Sequence, residues 1–127
     1  MRKIYFAIFA SLAVAAGSDS AQQPAWQPPA GHLTMELWPH GAPGATLNPP
    51  REIDTTSAKD NLIADKPLIR LGNVSNPTLT LYVPNDHPSG AAVVVFPGGG
   101  YQILAIDLEG TEVCDWLVSI HVACILV

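Results

Sequence analysis

Three consecutive glycines, Gly98, Gly99 and Gly100, stand between Pro97 and Tyr101 and carry the strongest chemical signal in the chain. Glycine adopts positive φ without a Cβ clash and lets backbone N–H groups come close to a ligand. Converging N–H groups suit two kinds of anion, a phosphate or the oxyanion of an acyl-transfer intermediate. Spacing separates them. A phosphate loop calls for G-x-x-x-x-G-K-[ST] or G-x-G-x-x-G, whereas position 103 is Ile and no Lys or Arg follows Arg70. The bland reading is a tight turn whose glycines serve packing alone.

Acyl transfer by a serine hydrolase also needs a nucleophile in G-x-S-x-G, followed in chain order by Asp or Glu and then His. The serines are 11, 18, 20, 57, 75, 89 and 119, and none has that surrounding. Ser119 and His121 are two apart at a helix end and read as accidental neighbours. Cys114 sits beside an apolar stripe with carboxylates nearby, a setting that disfavours a thiolate. His32, His40, His87 and His121 are scattered, and no C-x-x-C or H-E-x-x-H spacing occurs, so neither a metal nor another cofactor is expected. A triad would have to lie beyond Val127.

The elements around the glycines follow from pattern. Ala91 to Phe96 is continuously apolar, as in a strand covered on both faces. A helix fits Leu108 to Ile120, with Val113, Trp116, Leu117 and Ile120 forming one stripe. Asp107 is the expected N-cap, Glu109 and Glu112 favour the positive end of the helix dipole, and His121 falls where glycine would best supply the left-handed turn. Val122 to Val127 is a second apolar strand. Strand, glycine loop, helix and strand make one βαβ unit with parallel strands and a right-handed crossover. The last strand would need a further neighbour and a covering helix, so the domain is expected to be incomplete.

Upstream, Met35 to Trp38 reads as a short strand, closed by the turn from Pro39 to Gly44. Ala45 to Lys66 lacks a clear period and reads as a long surface loop. Strands over Leu68 to Val74 and Thr78 to Val83 flank Ser75-Asn76-Pro77, which reads as a hairpin turn. The fold class is α/β, with antiparallel leading strands followed by one βαβ unit.

A length of 127 residues falls within the range of about 100 to 200 expected for one domain. Apolar residues make up 48%, far too many for a disordered chain, while 12 prolines and 10 glycines imply much irregular backbone. Arg2 and Lys3 precede an apolar run of 13 residues, Ile4 to Ala16. Spanning a bilayer takes about 20 such residues, so residues 1–17 read as a cleaved signal peptide, residues 18–32 as a linker and residues 33–127 as the folded part. Secretion or a periplasmic location follows, with no membrane attachment after cleavage. Without Arg2 and Lys3, four basic residues face 11 acidic ones, a formal charge of −7 that disfavours nucleic acid and anionic membranes and suits a neutral substrate. Cys114 and Cys124 permit a disulfide without demanding one, and their neighbours suggest that both are core residues.

Beyond single motifs, several segments together resemble the opening of a secreted α/β-hydrolase esterase family known as acetyl-xylan esterase, feruloyl-esterase-like or xylanase-like. They are Leu37 to Gly44, Asn76 to Pro84, Val93 to Tyr101, Leu108-Glu109-Gly110 and Asp115-Trp116-Leu117. The resemblance runs from about Leu33 to Val127. It implies the N-terminal part of an α/β-hydrolase sheet, in which Gly99 and Gly100 donate N–H groups to the oxyanion, Gly98 shapes the turn and Tyr101 lines the acyl pocket. Pro97 stands where many relatives have histidine. The implied partner is a small-molecule or polysaccharide ester. A different class of function is a non-catalytic exported binding or interaction module whose open last strand pairs with a partner.

Overall fold

The computed structural model describes residues 26–127, and within them seven strands and one α-helix form two small sheets. The expected signal peptide and the first part of the linker lie outside the described residues. Trp26 already packs against the core, and His32 stacks on Tyr82 with ring centroids 4.0 Å apart. Contacts with the core therefore begin before the first strand, β1 (Leu33–Glu36).

The larger sheet has the order β1-β4-β7-β5, where β4 is Thr78–Tyr82, β5 Ala92–Val95 and β7 Ala123–Leu126. β4 runs antiparallel to both β1 and β7, and β5 and β7 are parallel, with Val93 opposite Cys124 and Val95 opposite Leu126. The parallel pair agrees with the βαβ reading. One expectation is corrected: β7 is not open, because β4 fills its far side. The edges of this sheet are β1 and β5, and the edge position of β5 leaves Val93, Val94 and Phe96 exposed although the apolar run suggested a strand covered on both faces.

The second sheet, β2-β3-β6, is antiparallel and comprises β2 (Ile53–Asp54), β3 (Arg70–Gly72) and β6 (Ile103–Ala105). β2 lies inside the segment read as a long loop. β3 and β4 are in different sheets, so Ser75-Asn76-Pro77 joins two sheets and closes no hairpin. The turn chemistry there is real, but the strands on either side find partners elsewhere: Leu71 opposite Leu104, and Leu81 between Leu33 and Ile125.

The predicted helix is divided. Asp107–Thr111 is a π-helical turn, in which the Thr111 N–H donates to the Ile106 carbonyl at 3.0 Å, and α1 follows over Glu112–Ser119. Asp107 is no N-cap; its carboxylate accepts the Ile69 N–H at 2.9 Å and ties β3 to the turn. The buried face is Cys114 and Leu117, flanked by half-buried Val113 and Val118, while Trp116 and Ile120 of the expected stripe are exposed. His121 does take the left-handed conformation, φ 63°, without being glycine. Among the described residues no helix is long and apolar enough to cross a membrane.

Leu71, Tyr82, Ile106, Cys114, Leu117, Cys124 and Leu126 form the core. Tyr82 is almost wholly buried, yet its hydroxyl finds no hydrogen-bond partner among the described residues. Burial, and to a lesser degree the charge of Asp115, raise its pKa. Cys114 and Cys124 are both fully buried. They form a disulfide across a sequence separation of 10 residues, joining α1 to β7 at a Cα–Cα distance of 5.2 Å. A loop of this length constrains the unfolded chain by about 3 kcal/mol. Reducing the bond should lower the unfolding free energy by about that amount, read as a fall in urea midpoint at constant slope. An unchanged midpoint would show that α1 and β7 are held by packing alone.

Candidate functional site

The parallel strands β5 and β7 end side by side, where the Val127 N–H donates to the Val95 carbonyl at 3.0 Å. Ligands of open α/β sheets bind beyond the carboxyl ends of such strands, and the glycine loop occupies that place. Gly99 has φ 149°, Gly100 φ 63° and Tyr101 φ 61°. The chain then turns back: the Gly98 carbonyl accepts the Ala105 N–H at 2.9 Å, and the Gly99 carbonyl accepts those of Gln102 and Ile103 at 3.2 and 3.3 Å. A Cβ on Gly99 would collide with the Ile103 carbonyl, so the close return of the chain requires glycine there.

Three N–H groups, those of Gly99, Gly100 and Tyr101, donate to no acceptor among the described residues. Gly98 differs. Its N–H donates to Glu109 Oε2 at 2.8 Å, which removes it from the set able to meet a ligand. The loop lines a cleft of about 470 Å³ together with Phe96, Ile103 and Val127. Tyr101 lines it as well, with a fully exposed side chain. Successive free N–H groups in a turn are the kind of donor set that binds anions.

Phe96, Leu104 and Val127 also line a larger cleft of about 770 Å³ between the two sheets. Its walls are mainly apolar, with Trp26, Met35 and Trp38 on one side and Glu52 among the polar members. Partial burial raises the Glu52 carboxyl above its ordinary value of 4.5. Sequence reasoning missed this cleft because its walls come from both sheets and the second sheet was not foreseen.

The remaining sequence candidates stay apart. The Ser119 hydroxyl donates to the Trp116 carbonyl at 2.7 Å, and His121 Nδ1 faces the Asp86 carbonyl at 3.3 Å, so the two form no nucleophile and base pair. Cys114 is in the disulfide. Among the described residues no three His, Cys, Asp or Glu side chains cluster as metal ligands would.

With this geometry, comparison with known proteins has one informative result. The chain is similar to an acetylxylan esterase. That protein, from Xylanibacter ruminicola, is 37% identical over 54 residues, a stretch amounting to 42% of this chain and 11% of the relative. The chain thus spans a small part of the length of the curated relative it matches. No family model matches the chain, and no solved structure does either.

Two measurements probe the clefts. Gly100→Ala should cost about 1 kcal/mol, the penalty of a left-handed alanine with open space around it. Gly99→Ala should cost about 3 kcal/mol or more, because strained backbone and a steric collision combine; equal urea midpoints for the two variants would contradict the loop geometry. For Glu52, a raised folded-state pKa means that the fold disfavours the carboxylate, so the contribution of this group to stability is present at low pH and lost as pH rises through the raised value. Glu52→Gln should therefore melt above the wild-type chain at neutral pH, and the gap should close below about pH 4. A gap that is constant with pH would contradict this.

Proposed function

We propose that this chain is the front part of an exported carboxylic-ester hydrolase of the α/β-hydrolase type and supplies its oxyanion loop. The observation that carries the reading is the free N–H set of Gly99, Gly100 and Tyr101 beyond the end of a parallel strand. Local similarity to an acetylxylan esterase supports an ester as substrate, and an acyl group on a plant polysaccharide is the member of that class we favour. The sheet order, two leading strands antiparallel before the parallel pair, suits the opening of such a domain.

In this reading a serine hydroxyl, located beyond Val127 with its histidine and acidic partner, attacks the acyl carbon. The hydroxyl proton passes to histidine and the carbonyl π electrons move to oxygen. That oxyanion meets the N–H groups of Gly99 and Gly100, the pair expected from sequence, with Tyr101 as a third donor. The C–O bond to the alcohol then breaks, histidine returns the proton to the leaving alcohol, and water hydrolyses the acyl-enzyme by the same route. One such donor supports about 3 kcal/mol of transition-state stabilisation. Tyr101 adds a side chain at the cleft mouth, where the sequence reading gave it the acyl pocket.

The coding region beyond Val127 tests this directly. A further strand followed by G-x-S-x-G is expected, and the longer product should hydrolyse 4-nitrophenyl acetate while the 127-residue chain does not. Absence of that motif in every frame sinks the reading. The exposed edge of β5, with Val93, Val94 and Phe96, favours a second reading as a non-catalytic interaction module. That module would use the β5 edge, since β7 is paired on both sides. A monodisperse oligomer of the 127-residue chain without esterase activity would favour it.

A further inference from the structure

We infer that Glu109 is a positioning residue that clamps the glycine loop in its donor conformation, an inference that rests on the acyl-transfer reading of that loop. Its carboxylate accepts the Gly98 N–H at 2.8 Å, the first N–H of the loop and the one whose neighbours are left free. Two glycines make the approach possible. A Cβ on Gly98 would lie 2.5 Å from Glu109 Oε2, and a Cβ on Gly110 would lie 3.2 Å from the Pro97 ring and 3.1 Å from Leu126 Cδ1. The loop and the turn that carries Glu109 thus meet through glycine on both sides.

The turn itself is π-helical, a rare geometry that adds a residue to the helical repeat and redirects side chains. It is fixed independently at Asp107, which holds the Ile69 N–H. Glu109 therefore projects from an anchored base toward Pro97-Gly98. By holding Gly98 it fixes the direction in which the following three N–H groups point. Its negative charge also lies close to those donors and opposes any anion they bind. A neutral acceptor at this position should keep the clamp and remove the repulsion.

The full 127-residue chain, labelled with ¹⁵N and ¹³C, provides the test, with acetate as the probe. In the wild-type chain, acetate should shift the amides of Gly99, Gly100 and Tyr101. In Glu109→Ala, the Gly98 amide should exchange about tenfold faster, as expected for loss of a charge-assisted bond. The conformation-sensitive shifts of residues 99–101 should change, and their response to acetate should vanish. Glu109→Gln should restore all three and saturate at lower acetate than wild type. Glu109 is exposed, so neither variant should disturb the core, which far-UV circular dichroism checks. If Glu109→Ala leaves Gly98 exchange and the acetate response unchanged, the clamp is refuted. If acetate moves none of the three amides in the wild-type chain while Gly98 still depends on residue 109, the acyl-transfer reading fails and the clamp stands as a support of the loop.

Discussion

The structure depends on the placement of β7 between β4 and β5. This strand pairs on both sides, and its inward residues Cys124 and Leu126 reach the core against α1. A parallel neighbour can be joined to β5 only by a crossover, and α1 is that crossover, bonded to β7 through Cys114 and Cys124. Because the strand, its helix and its covalent tie are arranged together, the carboxyl end of β5 has a fixed direction. The glycine loop inherits it.

That inheritance explains the division of labour among the glycines. Gly99 allows the chain to return against the Ile103 carbonyl, and Gly98 and Gly110 let the loop and the π-helical turn approach each other. Gly100 meets nothing within 4 Å and is needed for its left-handed backbone alone. Three glycines in a row are thus three different solutions. Only the positive φ of the last could be argued from a sequence, since the other two depend on residues brought from positions 103 and 109.

The same distinction governs what was legible. Apolar runs at Ala91 to Phe96 and Val122 to Val127 identified the parallel pair through their unbroken apolar, β-branched content, although β5 itself is largely exposed. The Thr78 to Val83 strand was legible for its β-branched and apolar content. The second sheet was not, since β2 has two residues and β6 three, too few to show a period. Asn76-Pro77 marked a turn but not which strands it joined, because pairing partners are set by distant residues. The helix stripe was displaced: the π-helical turn alters the register before α1, and Cys114, read as buried beside the stripe, belongs to the buried face itself. Asp107 had the residue type of a cap, yet the Ile69 N–H competed for its carboxylate and won.

On the acyl-transfer reading, electrostatics favours one kind of ligand for the loop. The chain carries a formal charge of −5, no basic residue follows Arg70, and Glu109 stands at the loop itself. A phosphate would bring its full charge through this field and meet no cation among the described residues that line the cleft. An ester approaches uncharged, and on the acyl-transfer reading its oxygen becomes negative only when it already lies against the three N–H groups. Donors in a cleft act most strongly on charge that develops there, since no solvent shell has to be stripped from it beforehand. On that reading an acidic chain with a neutral-substrate loop is coherent: the net charge weakens the binding of preformed anions, and the short-range N–H dipoles act most strongly on the one anion formed in place.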